Sequence, residues 1–216
     1  MSKKRILLAI IFIFSFAFFH FYLDDFFTLT NLKGKLYLLK DLVEFRPILS
    51  GIYFLIFYIF LTAFALPGMS LFTIVAGYLF NFWLALFLVS VASSLGASIS
   101  FLLARYLFKN YIENKFFSLV KKINENLEKN GGIYLLSLRL IPAVPFYLIN
   151  IAMGVTKIRL STFYFVSQLG MLPGTIIYLS IGEELSKINS IAEAESWWIF
   201  ALLTLIGIFP LFLRKN

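Results

Sequence analysis

The chain has 216 residues, of which 61% are hydrophobic and 14% are charged, with a formal net charge of +8. So few charged side chains cannot cover the surface of a water-soluble domain of this length, which indicates an integral membrane protein. With no cysteine and a single histidine, disulfides and cysteine-ligated metals are excluded, and we expect no metal site and no cofactor. The positive charge is typical of cytoplasmic membrane loops, so we expect no nucleic-acid partner.

The N-terminal segment, 1–46, is predicted to hold one transmembrane helix and one helix at the membrane surface. An uncharged run over 6–23 follows three positive charges, and bulky aromatic residues stand where a signal peptide needs small ones. We therefore interpret this run as a retained span. Over 31–45, apolar residues recur at helical spacing between charged ones, which predicts an amphipathic interfacial helix.

The next stretch, 47–104, contains no charged residue and is far longer than one crossing requires. Pro67 and Gly68 interrupt it, and the part that follows them is too short to span the membrane alone. We predict a re-entrant helical hairpin over about 51–80 and a spanning helix over about 82–107.

A second broken segment follows a predicted amphipathic helix over 111–129. The segment 133–153 is long enough to cross, but it contains Arg139, Pro142 and Pro145. A broken helix at that depth must be enclosed by protein or line a wet cavity. We predict a second re-entrant hairpin here.

Two further spans are predicted, over about 160–181 and 197–213. The predicted fold is thus an all-α polytopic membrane protein with about four transmembrane helices, two opposed re-entrant hairpins and two interfacial amphipathic helices. Its core covers 47–185, between the N-terminal segment and a C-terminal segment, 186–216.

The distribution of Lys and Arg favours this topology. With both termini inside and both hairpins re-entrant, 12 of the 19 Lys and Arg lie inside and 5 lie outside, in keeping with the positive-inside rule. A rival in which only the first broken segment spans, with the N-terminus outside, places 13 inside and 4 outside. That rival puts the positive cluster at residues 3–5 on the wrong side of the first helix, so we prefer four spans.

A weak internal repeat points to the same architecture. Pro67 precedes Gly77 by ten positions, and Pro145 precedes Gly154 by nine. Each pair is followed by a predicted spanning helix that contains a Leu-Gly step, at 95–96 and at 169–170. Entering from opposite faces, the two units would form an inverted repeat, which is typical of transporters with a site near the membrane midplane.

Two groups of motifs resemble those of a known family. The first is Ala65-Leu66-Pro67-Gly68 with Ala76-Gly77-Tyr78-Leu79-Phe80. The second, more specific group is Arg139-Leu140-Ile141-Pro142-Ala143-Val144-Pro145-Phe146 with Gly154 and Gly170-Met171-Leu172-Pro173-Gly174. Over about 47–185 the chain resembles the DedA superfamily, and within it the SNARE-associated Golgi protein, or VTT-domain, branch. The resemblance implies two opposed re-entrant hairpins and movement of phospholipid or polyprenyl-phosphate between leaflets.

The chain departs from the family pattern at two places. Asn81 stands where the family usually has glycine, so the exit from the first hairpin is expected to differ. Met69-Ser70 stand where proton-coupled members of the family carry an acid, which argues against proton coupling.

Arg139 is the strongest candidate for a binding residue. A charged side chain costs about 2.5 to 3.5 kcal/mol at the centre of a membrane helix, so it usually serves a partner or a pathway. Its guanidinium can bind two phosphate oxygens at once. Helices that begin near Gly68 and Pro145 would add the positive partial charge of their N-termini. Alternatively, Arg139 caps backbone carbonyls freed by the two prolines, and both roles can hold together.

The other candidates have a binding interpretation and a structural one. Arg105, Asn150 and Gln168 could contact substrate, or Arg105 could extend to the lipid headgroups while the two amides join helices. Hinge and hairpin positions, which could equally serve packing, are Pro67, Gly68, Gly77, Pro142, Pro145, Gly154, Gly170, Pro173 and Gly174. Glu183 and Glu184 could accept protons or form a solvated helix end.

The residues do not support an enzyme. An intramembrane serine protease needs a base, and the single histidine, His20, lies on the first predicted helix. The paired intramembrane aspartates of an aspartyl protease and the H-E-x-x-H pattern of a metalloprotease are absent.

We expect a lipid flippase or scramblase whose partners are membrane lipids, in a bacterial plasma membrane with both termini cytoplasmic. The alternatives are an ion- or proton-coupled transporter, which needs a carboxylate in its cavity, and a non-transporting scaffold or assembly factor. A scaffold predicts dry hairpins and an Arg139 bound only to backbone carbonyls. Homo-oligomerisation is left open.

Overall fold

A computed structural model describes residues 29–64, 68–141 and 144–187. The predicted spans over 6–23 and 197–213 lie outside the described residues, and so do Pro67 and Pro142. All contacts given below are contacts within the described part of the chain.

The described residues are helical and contain no strand, which confirms the predicted all-α class. The helices are α1 (Leu29–Phe45), α2 (Pro47–Ala63), α3 (Met69–Leu79), α4 (Phe82–Leu107), α5 (Lys109–Lys115), α6 (Phe117–Asn130), α7 (Gly132–Leu140), α8 (Phe146–Gly154) and α9 (Leu160–Lys187).

Two of these helices, α4 and α9, are long and apolar enough to cross a membrane. Asn81 begins α4 as an N-cap, because its side-chain oxygen accepts a hydrogen bond from the Leu84 N–H at 3.0 Å. A capping side chain thus stands where the family usually has glycine. Many large apolar side chains face outward, with Ile48 80% and Trp83 76% exposed, as expected of surfaces that contact lipid.

Two pairs of shorter helices precede the long ones. We call α2 and α3 helix pair one, and α7 and α8 helix pair two. Gly68 connects the first pair with φ of +86°, a left-handed conformation that glycine adopts without steric cost. Both α7 and α8 have nine residues and extend about 14 Å, which is too short to cross a hydrocarbon core of about 30 Å alone.

The two helix pairs contact the long helices in a matched way. The first helix of each pair packs against the long helix that follows it, α2 on α4 and α7 on α9. The second helix packs against the other long helix, α3 on α9 and α8 on α4. Glycines permit this approach, since a Cβ at Gly77 would meet the Leu179 backbone of α9 and one at Gly154 the Phe101 backbone of α4.

The predicted amphipathic helix over 111–129 is broken in the structure. Phe116 leaves the helical conformation, with φ of −124° and ψ of 39°, and divides the segment into α5 and α6. The Lys157 N–H donates to Asn124 Oδ1 at 3.1 Å, and Lys157 Nζ lies 3.3 Å from Glu128 Oε1. These contacts hold α6 against the loop that follows α8.

Candidate functional site

A cavity of about 550 Å³ lies where the two helix pairs meet α4 and α9. Ser93 lines it from α4, and residues between Gly170 and Tyr178 line it from α9. These positions fall near the middle of both long helices, so the cavity lies at mid-depth between their ends. Pro173 and Gly174 are part of its lining, and α9 continues through them.

Two helix N-termini face this cavity. Met69 and Ser70 line it at the start of α3, and Phe146 and Tyr147 line it at the start of α8. The first N–H groups of a helix have no intrahelical acceptor and carry a partial positive charge. The predicted placement of the helix starts near Gly68 and Pro145 thus corresponds to two N-termini directed at one cavity.

Arg139 is the only charged residue among the described residues that line the cavity. Its Nη2 donates to Asn150 Oδ1 at 2.7 Å and to Ser167 Oγ at 3.0 Å, and its Nε donates to Ser167 Oγ at 3.1 Å. The guanidinium also lies 5.0 Å from the Phe146 ring centre and 5.2 Å from that of Phe163, within range of cation–π attraction. Side chains of α7, α8 and α9 together hold it in place.

Two donors of this cluster have no acceptor in the described part of the chain. They are Arg139 Nη1 and Asn150 Nδ2, and both atoms are buried. Buried donors are normally paired, and an unpaired one on a charged group is especially costly. Because Arg139 also lines the cavity, a ligand oxygen that reached Nη1 would give the guanidinium its missing partner, which makes this cluster an anion-binding candidate.

Ser167 was not a predicted site residue, although it accepts two of the three hydrogen bonds of Arg139. A signal was present in the sequence, because Phe163, Ser167 and Gly170 recur at helical spacing and share one face of α9. Gly170 belongs to the same contact. A Cβ there would lie 2.6 Å from Arg139 Cβ, so glycine lets α7 approach α9.

Arg105 does not lie at the cavity. Its Nε donates to the Gly154 carbonyl at 2.9 Å, and its Nη2 donates to the carbonyls of Thr156 at 2.7 Å and Ile158 at 2.9 Å. These carbonyls belong to the C-terminal end of α8 and the loop after it, where a cation is favourable. Arg105 thus caps backbone carbonyls, which is the alternative role considered above for Arg139. This role replaces the contact with lipid headgroups that was considered for Arg105.

Gln168 and the two glutamates are not among the residues that line the cavity. Gln168 Nε2 donates to Ser90 Oγ at 3.4 Å and joins α9 to α4. Lys187 Nζ lies 3.3 Å from Glu183 Oε1 and 2.9 Å from Glu184 Oε1, at the far end of α9. Neither carboxylate lines the cavity. The coupled-transporter alternative needs a carboxylate in its cavity, and Glu183 and Glu184 do not provide one there.

Comparison with known proteins supports the resemblance inferred from the motifs. The VTT domain model matches residues 66–184. The chain is 33% identical over 179 residues to a Transmembrane protein 41 homolog of Caenorhabditis elegans, covering 80% of this chain and 72% of the relative.

Vertebrate relatives show similar identity over a smaller share of their length. The chain is 32% identical over 166 residues to Transmembrane protein 41B of Danio rerio and of Homo sapiens, covering 74% of this chain and 58% and 57% of those proteins. No solved structure matches. The prediction from the motifs is confirmed: the chain belongs to the VTT-domain family of membrane proteins, the DedA and SNARE-associated Golgi protein family.

Proposed function

We propose that this protein moves lipids between the leaflets of its membrane, as a flippase or scramblase of phospholipid or polyprenyl-phosphate, with Arg139 binding the lipid phosphate. One observation carries the proposal: Arg139 lines a mid-depth cavity, and its buried donor Nη1 has no partner among the described residues. Phosphate, the anion common to phospholipids and polyprenyl-phosphate, has oxygens that can bind the planar donors of a guanidinium two at a time.

The electrostatics of the cavity favour a single anionic group. One full positive charge and two helix N-termini are directed at it, and no carboxylate lines it within the described ranges. Inside a protein the effective dielectric constant is lower than in bulk water, so these charges attract phosphate more strongly than surface charges would. The cavity volume is in the range of ligand pockets and suits a headgroup whose acyl or prenyl chains stay in the lipid.

The proposal includes the topology predicted from the charges, with four spans, both termini cytoplasmic in a plasma membrane, and re-entrant helix pairs related as an inverted repeat. The inverted repeat is supported by the matched packing of the pairs, in which the second helix of each pair contacts the long helix of the other. The short length of α7 and α8 supports the proposed topology. In such a repeat, one unit can rock against the other around a central site and expose it to each leaflet in turn.

Within the described residues, the three hydrogen bonds of Arg139 end on side-chain oxygens, whereas the scaffold alternative expects bonds to backbone carbonyls only. This difference supports the transport proposal over the scaffold alternative.

Leaflet exchange of acyl-labelled phospholipids and polyprenyl-phosphate in liposomes tests the function. We expect exchange by the wild type and about a tenfold slower rate for Arg139→Lys, because lysine keeps the charge and loses the planar fork. Arg159→Lys is the matched control, since Arg159 is exposed in the loop before α9, and it should exchange lipid like the wild type. If no lipid moves, with or without a pH gradient, the proposal fails and the scaffold alternative is favoured.

The topology can be tested with single cysteines, because the chain has none. Asp41 of α1 and Ser118 of α6 are both exposed and lie on opposite sides of the proposed membrane. In intact cells a membrane-impermeant maleimide should label Asp41→Cys and should reach Ser118→Cys only after permeabilisation. Labelling of both variants from one side would contradict the topology and leave lipid exchange to be judged separately.

A further inference from the structure

The cavity carries hydroxyl groups from helix pair one and α4, in addition to Arg139 from helix pair two. Tyr58, Thr62, Thr73 and Ser93 all line it, and each side chain is at most 6% exposed. Buried hydroxyls at a ligand cavity usually determine which polar groups the ligand can present.

The hydrogens of these hydroxyls are already used inside the protein. Thr62 Oγ1 donates to the Tyr58 carbonyl at 2.8 Å, and Ser93 Oγ donates to the Ser90 carbonyl at 3.2 Å. Thr73 Oγ1 donates to the Met69 carbonyl at 2.9 Å. A hydroxyl has one hydrogen, so the 2.9 Å contact between the Tyr58 hydroxyl and Thr73 Oγ1 uses the hydrogen of Tyr58.

These oxygens are therefore left with lone pairs and no hydrogens to offer a ligand. We call Tyr58, Thr62 and Ser93 the acceptor wall. Arg139, in contrast, offers only donors. The cavity thus combines a donor group for an anion with a wall that accepts hydrogen bonds.

We propose that the site selects anionic phospholipids whose headgroup ends in uncharged hydroxyls, the phosphoglycerol class, with phosphate at Arg139 and the headgroup hydroxyls donating to the acceptor wall. This inference rests on the proposed function and names its substrate class. A choline headgroup has no N–H or O–H to donate. A primary ammonium could donate to the acceptor wall, but it would add a second positive charge near Arg139, and no carboxylate lines the described part of the cavity to balance that charge.

The test compares two lipids of equal charge, phosphatidylglycerol and phosphatidylmethanol, which differ in the headgroup hydroxyls. We expect the wild type to exchange phosphatidylglycerol about tenfold faster, as two hydrogen bonds of ordinary strength would provide. The double variant Thr62→Val with Ser93→Ala should remove that difference, so that the two lipids exchange at similar rates. Ser98→Ala is the matched control, because Ser98 is a buried serine of α4 that bonds Ser94 in the same way and lies outside the cavity.

Binding is measured in parallel, as the rise in unfolding temperature caused by short-chain forms of both lipids and by glycerol 3-phosphate. A larger rise with phosphatidylglycerol than with phosphatidylmethanol, lost in the double variant, supports the site even if no lipid is exchanged. An equal rise with free glycerol 3-phosphate would point to a soluble ligand and overturn the lipid assignment. Equal rates and equal binding for both lipids would overturn the selectivity and leave the proposed lipid movement intact.

Discussion

Replacing Asn150 by aspartate should reduce leaflet exchange on the order of 100-fold and leave the protein at least as stable as the wild type. Asn150 is fully buried, its Oδ1 accepts from Arg139 Nη2 at 2.7 Å, and its Nδ2 has no partner in the described part of the chain. A carboxylate of the same shape keeps the accepted bond, strengthens it by charge and removes the unpaired donor.

The same carboxylate neutralises Arg139 and repels a phosphate. A charge-assisted hydrogen bond contributes about 1.5 to 3 kcal/mol, which corresponds to a loss on the order of 100-fold at its upper end. Exchange rates in liposomes and the unfolding temperature in detergent are measured on the same preparation. Asn126→Asp makes the same change on α6, where Asn126 Nδ2 donates to the Lys122 carbonyl at 2.8 Å, and should leave exchange unaltered.

Two results would contradict this expectation. A folded Asn150→Asp protein with wild-type exchange would show that the free charge of Arg139 is not needed for lipid movement. Loss of exchange together with a lower unfolding temperature would mean that Asn150 serves the fold, because the substitution then disturbs packing instead of the charge of the cavity.

Gly182→Ala should destabilise the protein by about 3 kcal/mol, the upper end of the usual cost of overpacking. A Cβ at Gly182 would meet the carbonyl oxygen of Ile74 and would lie 2.9 Å from the Tyr78 nitrogen. Both are backbone atoms of α3, and backbone cannot move aside as a flexible side chain can. The two helices would have to separate along their contact, and overpacking of this kind is among the costly classes of substitution.

Gly174→Ala provides a matched comparison on the same helix. No atom of residues 29–64, 68–141 or 144–187 lies within 4 Å of the position its Cβ would take, and alanine is a better helix former than glycine by up to about 1 kcal/mol. We therefore expect Gly174→Ala to be neutral or slightly stabilising. The stabilities of the two variants are compared by unfolding them in detergent, with circular dichroism as the signal. Similar stabilities would show that α3 and α9 are not in close contact at Gly182.

Much of the helical framework could be predicted from hydropathy and helix breakers. The expected spanning helix over about 82–107 corresponds to α4, because a long apolar run has one stable conformation in a bilayer. Arg139 stood out for the same reason, as a charge inside an otherwise apolar segment. The break at Phe116 could not be predicted, since apolar periodicity continues across it.

The roles of the two arginines required the tertiary structure. Both lie in apolar surroundings in the sequence, but Arg105 donates to carbonyls 49 to 53 positions away, and Arg139 donates to side chains 11 and 28 positions away. Hydropathy measures the cost of a buried charge and contains no information about which partner compensates it. Local sequence patterns therefore identified both arginines but could not show that Arg105 is a cap and that Arg139 belongs to the candidate site.

From the sequence alone it follows that this chain resides in a membrane as an all-helical protein, that its motifs are those of the VTT-domain family and that Arg139 is the charge to explain. Each of these depends on residue type and spacing along the chain, which a bilayer converts directly into structure. Only the tertiary structure decided that Arg139 meets Asn150 and Ser167, that Arg105 caps α8, and that hydroxyls of helix pair one line the same cavity. Those contacts join separate helices, and their geometry depends on how glycines allow the helices to pack.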